Sequence, residues 1–378
     1  MSVSRKLLVA AIALLVAGCD GGKPQTLTIG VLVPQSGPSG ARGKDLLNGA
    51  TLAAEEITAS GFNAGGKPLT IVIKTTDDKG EVEAAKRGAQ AFVDMGVNAI
   101  IGPLNSNQAA AVIPVVAAKG LPELLTATSA PLLALGQGNA LRLLANDEQQ
   151  GRAIASFAAE TLQAKRIATV VEKSDYGRGL NTSFLAALGK FKLEPVASAE
   201  VDDKGQLPPE TVAKFKDGKI DTIVFLAREP QLMGLLDTID TLGWPDLTIV
   251  GTNVVRNKSV AHRPLHIKAL YATATAIDAK EFPEGKTFLA SFQRRFGSDP
   301  VWGAQYAYDA VYALADAVRQ SQSMDGPALV QSLKKIEPVT KVNQQMRFAA
   351  SGEQVYPNIA VYKSDQSAWA LQMMSASW

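Results

Sequence analysis

The chain has 378 residues, of which 46% are hydrophobic and 20% are charged, and its formal net charge is +2. This length exceeds what a single hydrophobic core usually supports, so we expect two domains. Lysine and arginine number 38 against 36 aspartates and glutamates, and this near balance argues against a nucleic-acid partner.

The first 19 residues have the pattern of a secreted lipoprotein leader. Arg5 and Lys6 precede the apolar run 7–16, which is too short to span a membrane comfortably. The run ends in LVAGC, which looks like a bacterial lipobox. We therefore expect residues 1–19 to act as a signal peptide and Cys19 to carry the lipid. Because Cys19 is the only cysteine, the mature chain forms no internal disulfide.

The residues after the cysteine predict where the lipid holds the protein. Residues 20–26 contain two glycines and a proline, and we expect them to form a short flexible tether. Asp20 resembles the signal that keeps enterobacterial lipoproteins at the inner membrane. The predicted location is therefore periplasmic, with a lipid anchor in the inner membrane.

From residue 27 onward, short β-rich runs alternate with longer amphipathic stretches. The predicted strands are 27–33, 69–75, 99–101, 123–126, 166–171, 195–201, 222–226 and 248–250. The predicted helices are 43–59, 82–94, 107–118, 149–161, 179–189, 230–242 and 301–320, followed by a hairpin-like segment at 360–371. Continuous apolar strands between helices indicate parallel sheets that are covered on both faces.

The alternation of strands and helices occurs twice, with a polar break at residues 145–148. We therefore predict an α/β fold with two doubly wound parallel-sheet lobes. Ligands of such sheets bind beyond the carboxyl ends of the strands. The loops that follow three of the predicted strands, 34–40, 102–107 and 127–131, are rich in serine, glycine, proline and asparagine.

A series of short motifs runs along the chain, and three of them overlap these loops. In chain order the motifs are SGP at 36–38, DD at 77–78, IIGPLNSN from 100, TATSAP at 126–131, DYGRG at 175–179, GTN at 251–253 and YAYDAVYAL from 306. In this order and spacing the chain resembles the periplasmic solute-binding proteins of the leucine/isoleucine/valine-binding type, which serve ATP-driven uptake systems. The resemblance covers nearly the whole mature chain.

The resemblance implies the type I periplasmic binding fold, with two lobes joined by three crossovers and a ligand cleft between them. The crossovers are expected near 145–150, 275–280 and 345–350. The implied domains are 27–147 with 278–347 for lobe 1, and 148–277 with 348–378 for lobe 2. The lobes are expected to close on the solute by a hinge motion, which only tighter contact in the closed state can favour.

The resemblance also assigns four residues to the ligand. Ser106 and Ser129 match positions that hold an α-carboxylate, Ala127 matches a backbone contact near the ligand amine, and Tyr176 matches a tyrosine that packs over the solute. The start of a helix at Ser106 independently favours an anion. Ser106 as a simple helix N-cap, Ser129 as a turn residue and Tyr176 as a surface residue are the alternatives.

Three further positions depart from the amino-acid binders. Asn253 stands where an acid pairs with the ligand ammonium, and Arg42 and Arg228 stand where aromatic residues shape the pocket. Arginine favours carboxylate or phosphate through paired hydrogen bonds, whereas asparagine cannot neutralise a buried ammonium. These departures predict an anionic solute, which need not carry an α-amino group. The alternative is that both arginines point to solvent.

Other chemistry finds little support in the sequence. The segment from Gly37 to Lys44 does not have the spacing of a phosphate-binding loop. His262 and His266 are four residues apart, but Pro264 lies between them and no third metal ligand is near. We expect no enzyme activity, no metal and no cofactor.

The main interpretation is therefore an extracytoplasmic receptor that binds an amino acid or a small anionic carboxylate. Its expected partners are the solute, an ABC permease in the inner membrane and the lipid anchor. The alternative is a lipoprotein on the same fold that senses a ligand or regulates a cell-wall synthase without transport.

Overall fold

The computed structural model describes residues 24–202, 205–337, 340–343 and 345–375, except for the side chain of Asp175. The predicted leader with Cys19, and the first residues of the predicted tether, lie outside these ranges. Within the described ranges, no helix combines the length and the apolar composition that a membrane crossing needs.

The first lobe is built on a six-stranded sheet with the order β2-β3-β1-β4-β5-β6. Its strands are β1 (Gln25–Val33), β2 (Asn63–Ala64), β3 (Lys67–Asp77), β4 (Ala99–Ile101), β5 (Glu123–Leu125) and β6 (Ala140–Arg142). All neighbouring strands are parallel except β2, which pairs antiparallel to β3. The chain order reverses on either side of β1, so the loops after β1 and β4 flank a crevice.

The second lobe is built on a seven-stranded sheet with the order β13-β12-β11-β10-β9-β7-β8. Its strands are β7 (Ile167–Glu172), β8 (Ala197–Val201), β9 (Thr222–Leu226), β10 (Thr248–Gly251), β11 (Ala269–Ala274), β12 (Ile359–Ser364) and β13 (Trp369–Ser375). The five strands β7 to β11 are parallel to their neighbours, and β12 and β13 add an antiparallel edge. Here the crevice lies between β7 and β9.

Helices cover both sheets. They are α1 (Gly40–Ala59), α2 (Val82–Met95), α3 (Ser106–Ala117), α4 (Asp147–Ser156), α5 (Asp175–Leu188), α6 (Pro209–Asp217), α7 (Glu229–Leu242), α8 (Lys258–Ala261), α9 (Gly285–Phe296), α10 (Ala304–Ser321) and α11 (Gly326–Lys335). The predicted α/β class with two mostly parallel sheets is confirmed. The sequence-based prediction missed β2, β6, β11, α6, α8, α9 and α11.

Local sequence explains where two of these helices begin. Asn146 and Gln149 form a reciprocal capping box at the start of α4, which satisfies backbone donors on both residues. Gly43 lies in the first turn of α1, where any Cβ atom would collide with the carbonyl group of Pro34. This close approach places the start of α1, including Arg42, against the loop that follows β1.

Three connections join the two sheets. The first is the short segment 143–146 between β6 and α4, and the second leaves β11 at residue 275. The third connection leads to β12. On this connection the carbonyl oxygen of Gly352 accepts the backbone N–H of Arg142 in β6 at 2.9 Å, so the chain contacts β6 until shortly before β12 begins. Leu144 and Ile277 belong to an apolar cluster that contains core residues of both lobes. The core is therefore continuous through the connections.

Candidate solute-binding cleft

The carboxyl ends of the two sheets face each other across a cleft. Arg42 follows β1 in the first lobe, whereas Tyr176 and Arg256 follow β7 and β10 in the second. Burial lowers the pKa of Arg42, the charge of Arg256 lowers it further, and Tyr176 acts on it in the opposite direction. These groups interact only because the two lobes bring their loops together.

On the first lobe, two predicted residues are in contact. The backbone N–H of Ser129 points to Oγ of Ser106 at 3.4 Å. Ser106 is the first residue of α3, the cap position belongs to Asn105, and the Asn105 side chain accepts no capping hydrogen bond. The first turn of α3 therefore keeps backbone donors that no capping side chain occupies, and such donors can hold an anion.

The loop 126–131, termed the serine loop, is held from behind by Arg142. This arginine is fully buried, and it donates to the backbone carbonyl oxygens of Ala127, Ser129 and Ala130. Its guanidinium also pairs with Glu353, with Nε to Oε2 at 3.0 Å. Ala127 is buried, and its carbonyl oxygen already accepts this hydrogen bond. Arg142 thereby fixes the direction in which the serine loop presents its hydroxyl and N–H groups.

On the second lobe, Tyr176 and Arg228 lie on the two sides of the crevice between β7 and β9. The Tyr176 hydroxyl donates to Oγ1 of Thr252 at 3.0 Å, and its ring centroid lies 6.0 Å from the Arg228 guanidinium carbon. Nε of Arg228 pairs with Glu172 at 2.9 Å, where the Arg228 side chain is 51% exposed and that of Glu172 only 2%. Glu172 therefore compensates the charge of Arg228.

Asn253 is fixed by a neighbour on α4. The side-chain amide of Gln150 donates to Oδ1 of Asn253 at 3.1 Å and to Oγ1 of Thr273 at 2.9 Å. Gln150 is fully buried. The amide oxygen of Asn253 is therefore engaged within the second lobe.

Arg42 differs from the other arginines of the cleft. Its guanidinium carbon lies 5.9 Å from the Trp302 ring centroid, and among the described residues it has no hydrogen bond or ion pair with a protein group. Burial is the main cause that lowers the pKa of Arg42, and the charge of Arg256 is the second. Arg256 itself is paired with Asp278, at 2.9 Å. Arg42 is thus a partly buried cation without an anionic partner.

Asp45 holds the aromatic residue beside Arg42. Its Oδ2 accepts the backbone N–H groups of Val301 and Trp302, both at 2.7 Å. Burial raises the pKa of Asp45 from 3.8 to about 6, although these hydrogen bonds act in the opposite direction. The folded protein consequently binds this proton more tightly than the unfolded chain does.

We expect this carboxyl group to contribute to the pH dependence of stability. Its contribution is complete below pH 3.8 and is lost as the pH rises through about 6. Asp45→Asn keeps an oxygen that accepts both N–H groups but does not titrate. Urea unfolding of both proteins between roughly pH 4 and pH 6.5 should show a smaller decrease in the variant. Parallel curves would contradict the expectation.

The structure thus brings Arg42, Ser106, Ser129, Tyr176 and Asn253 to one cleft. Ala127 is a buried residue of the serine loop, and its carbonyl oxygen accepts a hydrogen bond from Arg142. Arg228 lies at the same cleft, but with its charge compensated. Among the described residues, no group of three histidine, cysteine, aspartate or glutamate side chains is placed to hold a metal.

Sequence reasoning missed four polar residues around the cleft, which are Arg142, Asp147, Gln150 and Arg256. Asp147 lies in the polar break at 145–148, which was interpreted only as a boundary, and Gln150 lies in the first turn of the helix predicted at 149–161. An acid and an amide three residues apart at a helix start could have indicated a shared helix face. For Arg142 and Arg256 the sequence carries no such signal.

The fold and the cleft define a two-lobed solute-binding protein, because two parallel sheets direct polar loops at a space between them. The family model for periplasmic binding proteins matches residues 26–368, and the chain belongs to this family. Members of this family bind solutes outside the cytoplasm, so this protein is a periplasmic binding protein and not an enzyme.

Known proteins similar to this chain come from several bacteria. A Leu/Ile/Val-binding protein of Rhizobium johnstonii is 26% identical over 339 residues, which cover 89% of this chain and 91% of that protein. A periplasmic ligand-binding protein of a branched-chain amino acid ABC transporter from Burkholderia xenovorans has a similar structure, with a TM-score of 0.80, 19% identity, and coverage of 92% and 95%. A solute-binding protein of Rhodopseudomonas palustris, solved with 3,4-dihydroxybenzoic acid, has a TM-score of 0.75, 20% identity, and coverage of 93% and 98%.

Proposed function

We propose that this chain is the lipid-anchored receptor of an ABC uptake transporter and that its solute is a small carboxylate. Membership of the periplasmic binding protein family supports the receptor role. The names of the Rhizobium and Burkholderia relatives support an amino-acid-like solute and an ABC permease as partner. The lipobox that ends at Cys19 supports the anchor.

The observation that carries the choice of an anionic solute is the unpaired guanidinium of Arg42. A cation that has left water without a counter-charge is costly, unless a ligand supplies the charge. Arg228 and Arg256 have carboxylate partners in the protein, at 2.9 Å in each case, whereas Arg42 has none among the described residues. A ligand carboxylate is the group that completes this environment, through two parallel hydrogen bonds.

The first lobe offers a second place for negative charge. The α3 N-terminus, the Ser106 hydroxyl and the serine loop present donors that are typical of carboxylate sites. A solute with one carboxylate at this end and a second anionic group near Arg42 engages both. The Rhodopseudomonas protein, which shares the fold, was solved with an aromatic carboxylate.

An anion between the lobes also explains closure. Arg42 belongs to the first lobe and Arg256 to the second. Burial is the main cause that lowers the pKa of Arg42, and repulsion by the charge of Arg256 lowers it further. An anion that binds between them replaces this repulsion with two attractions. A ligand shifts a conformational equilibrium only through such a difference in affinity between states. Closure by hinge motion about the three connections follows from this difference.

The test is a thermal-shift panel on the purified protein, with monocarboxylates, dicarboxylates and neutral-side-chain amino acids. We expect dicarboxylates to raise the melting temperature most, since a ligand at a hundredfold excess over its Kd stabilises the folded state by roughly 2.7 kcal/mol. Native mass spectrometry of protein extracted from membranes reports a retained solute and the acylated amino terminus in the same spectrum.

Two outcomes would contradict parts of the proposal. Micromolar binding of leucine or valine would exclude the requirement for an anionic solute and leave the receptor role intact. A complete absence of stabilisation, with no solute retained after purification, would favour the sensing or regulatory alternative over transport.

A further inference from the structure

Glu123 is the first residue of β5 and is fully buried in the first lobe. Neither of its carboxylate oxygens has a hydrogen-bond partner among the described residues. The same holds for Oδ1 of Asn139, a residue that is only 4% exposed. Three such acceptors are unusual, because buried polar groups in folded proteins are nearly always hydrogen-bonded. A donor is therefore required at this place.

The three atoms lie on one face of the first sheet, at its amino-terminal edge. Ala140, the residue after Asn139, is the register partner of Glu123 in the parallel pair β5–β6, so these two side chains share one face. A Cβ atom placed on Gly136 would lie 2.9 Å from Oδ1 of Asn139 and 3.6 Å from Cβ of Ala140. The Asn139 oxygen is therefore on the face of the sheet that Glu123 occupies.

The side-chain amide of Asn139 cannot turn to supply the missing donor. Its Nδ2 donates to the carbonyl oxygen of Leu121 at 2.7 Å, and turning the amide would bring two oxygens together there. The backbone N–H of Glu123 is also engaged, since it donates to the carbonyl oxygen of Asn139 at 3.0 Å. Oδ1 of Asn139 thus stays an acceptor beside an acidic side chain.

The elements around Glu123 are almost free of charged residues. β4 and β6 pair with β5, α3 packs on it, and the short helix Ala130–Leu135 contacts α3 and β6. Among these four elements only β6 contains a charged residue, which is Arg142 at its far end. The Arg142 guanidinium is engaged by Glu353 and by the serine loop. An ionised Glu123 would find no counter-charge on these elements.

Two lysines lie at this edge of the lobe without bonding the carboxyl group. Lys334 of α11 donates to the carbonyl oxygens of Gly138 and Ala350. Lys119, in the loop before β5, is exposed. Burial alone raises the pKa of Glu123 well above 4.5. The fold therefore favours the neutral acid.

We propose that protonated Glu123 donates to Oδ1 of Asn139 and that this hydrogen bond makes the support of the serine loop dependent on a proton. A neutral carboxyl group has one O–H donor, which the ionised form lacks. Glu123 and Asn139 flank the segment 126–139, which begins with the serine loop. Loss of the proton leaves three acceptors together without a donor, so the base of this segment loosens. The effect on the solute rests on the proposed function, whereas the hydrogen bond itself does not.

The first test measures stability and needs no solute. A group whose pKa is raised by folding contributes stability that is complete below its unfolded pKa, here 4.5, and is lost as the pH rises through the pKa in the folded protein. Glu123→Gln keeps a donor for Asn139 and does not titrate. From roughly pH 5.5 upward, we expect the unfolding equilibrium constant of the unmodified protein to rise about tenfold per pH unit relative to that of the variant.

Two further variants make this comparison specific. Glu83→Gln is the matched control, because Glu83 is exposed in the first turn of α2 in the same lobe. It should follow the unmodified protein at every pH. Glu123→Met, which suits apolar surroundings and does not titrate either, replaces the glutamine variant if that variant does not fold.

The second test follows the proton and the solute together. Infrared difference spectroscopy reports the carbonyl stretch of a protonated carboxyl group, which the Glu123 variants lack. Calorimetry measures the Kd of glutarate, which remains a dianion above roughly pH 7. We expect Kd to rise by up to about tenfold per pH unit from the pH at which the band disappears, and to stay constant in Glu123→Gln.

The outcomes separate this inference from the proposed function. A spectrum without the Glu123 band at roughly pH 6, or with the band still present at roughly pH 10, overturns the proton dependence. A Kd that stays constant while the band disappears overturns the link to the serine loop. If glutarate does not bind at any pH, the proposed function loses support, while the infrared and unfolding data still decide whether Glu123 holds the proton.

Discussion

Replacement of Arg142 by methionine is expected to lower the free energy of unfolding by about 3–5 kcal/mol and to abolish solute binding. The substitution leaves Glu353 without its partner, together with the carbonyl oxygens of Ala127 and Ser129. Arg142 is fully buried, so water cannot replace the lost donors without opening the core. The serine loop then loses the support that directs its groups into the cleft.

Urea unfolding and calorimetry with the solute measure the two effects. Arg152→Met is the matched control, because its guanidinium pairs with Glu148 at the similar distance of 2.9 Å but on an exposed helix face. An exposed pair of this kind contributes about 0.3–0.5 kcal/mol. Similar losses in the two variants would mean that burial does not determine the strength of the Arg142 network. Normal affinity in Arg142→Met would separate the serine loop from binding.

Arg42→Gln is expected to weaken binding of the anionic solute by a factor of 10 to 150, as follows from about 1.5–3 kcal/mol for a hydrogen bond to a charged group. The same change should leave stability unchanged or increase it. The reason is that Arg42 is partly buried, repelled by Arg256 and unpaired within the described chain. Removal of such a charge relieves the folded state of an unfavourable contact.

A combined loss of affinity and gain of stability is a signature that a merely structural residue does not give. Calorimetric titration and urea unfolding of one preparation measure both quantities. Arg319→Gln is the matched control, since Arg319 also lies over an aromatic ring, 5.2 Å from the centroid of Phe62, but pairs with Asp316 at 2.7 Å. An Arg42 variant that unfolds more easily and binds normally would refute the role assigned to this residue.

The helices and strands that the sequence predicted well are those with a long, regular pattern of apolar residues. The prediction of 222–226 as a strand agrees with β9, and 82–94 nearly coincides with α2, Val82–Met95. The three-residue strand β6, Ala140–Arg142, was missed, because three residues contain no measurable periodicity. It is a strand only because β5 lies beside it and pairs with it. Its last residue is nevertheless the buried arginine that supports the serine loop.

The same distinction applies to the cleft. Ser106 and Ser129 could be proposed from local motifs, since a serine at a helix start and a serine in a turn carry their context in the sequence. The neutralisation of Arg228 by Glu172 could not be predicted, because Glu172 is the last residue of β7 whereas Arg228 follows β9, and the two meet only in the folded lobe. Of the two arginines that were predicted to act on the solute, Arg228 already has a carboxylate partner, and Arg42 has none among the described residues.

The sequence by itself determined the α/β class, the division into two lobes and the family resemblance, because each depends on contiguous residues and their spacing. The lipobox at Cys19 remains a prediction from the same kind of local pattern. Only the tertiary structure decided which charges of the cleft are already paired. Ion pairing depends on which side chains meet after two separate sheets have folded and faced each other. Arg42 emerged as the unpaired cation of the cleft among the described residues, and nothing in the sequence distinguishes it from arginines that have partners.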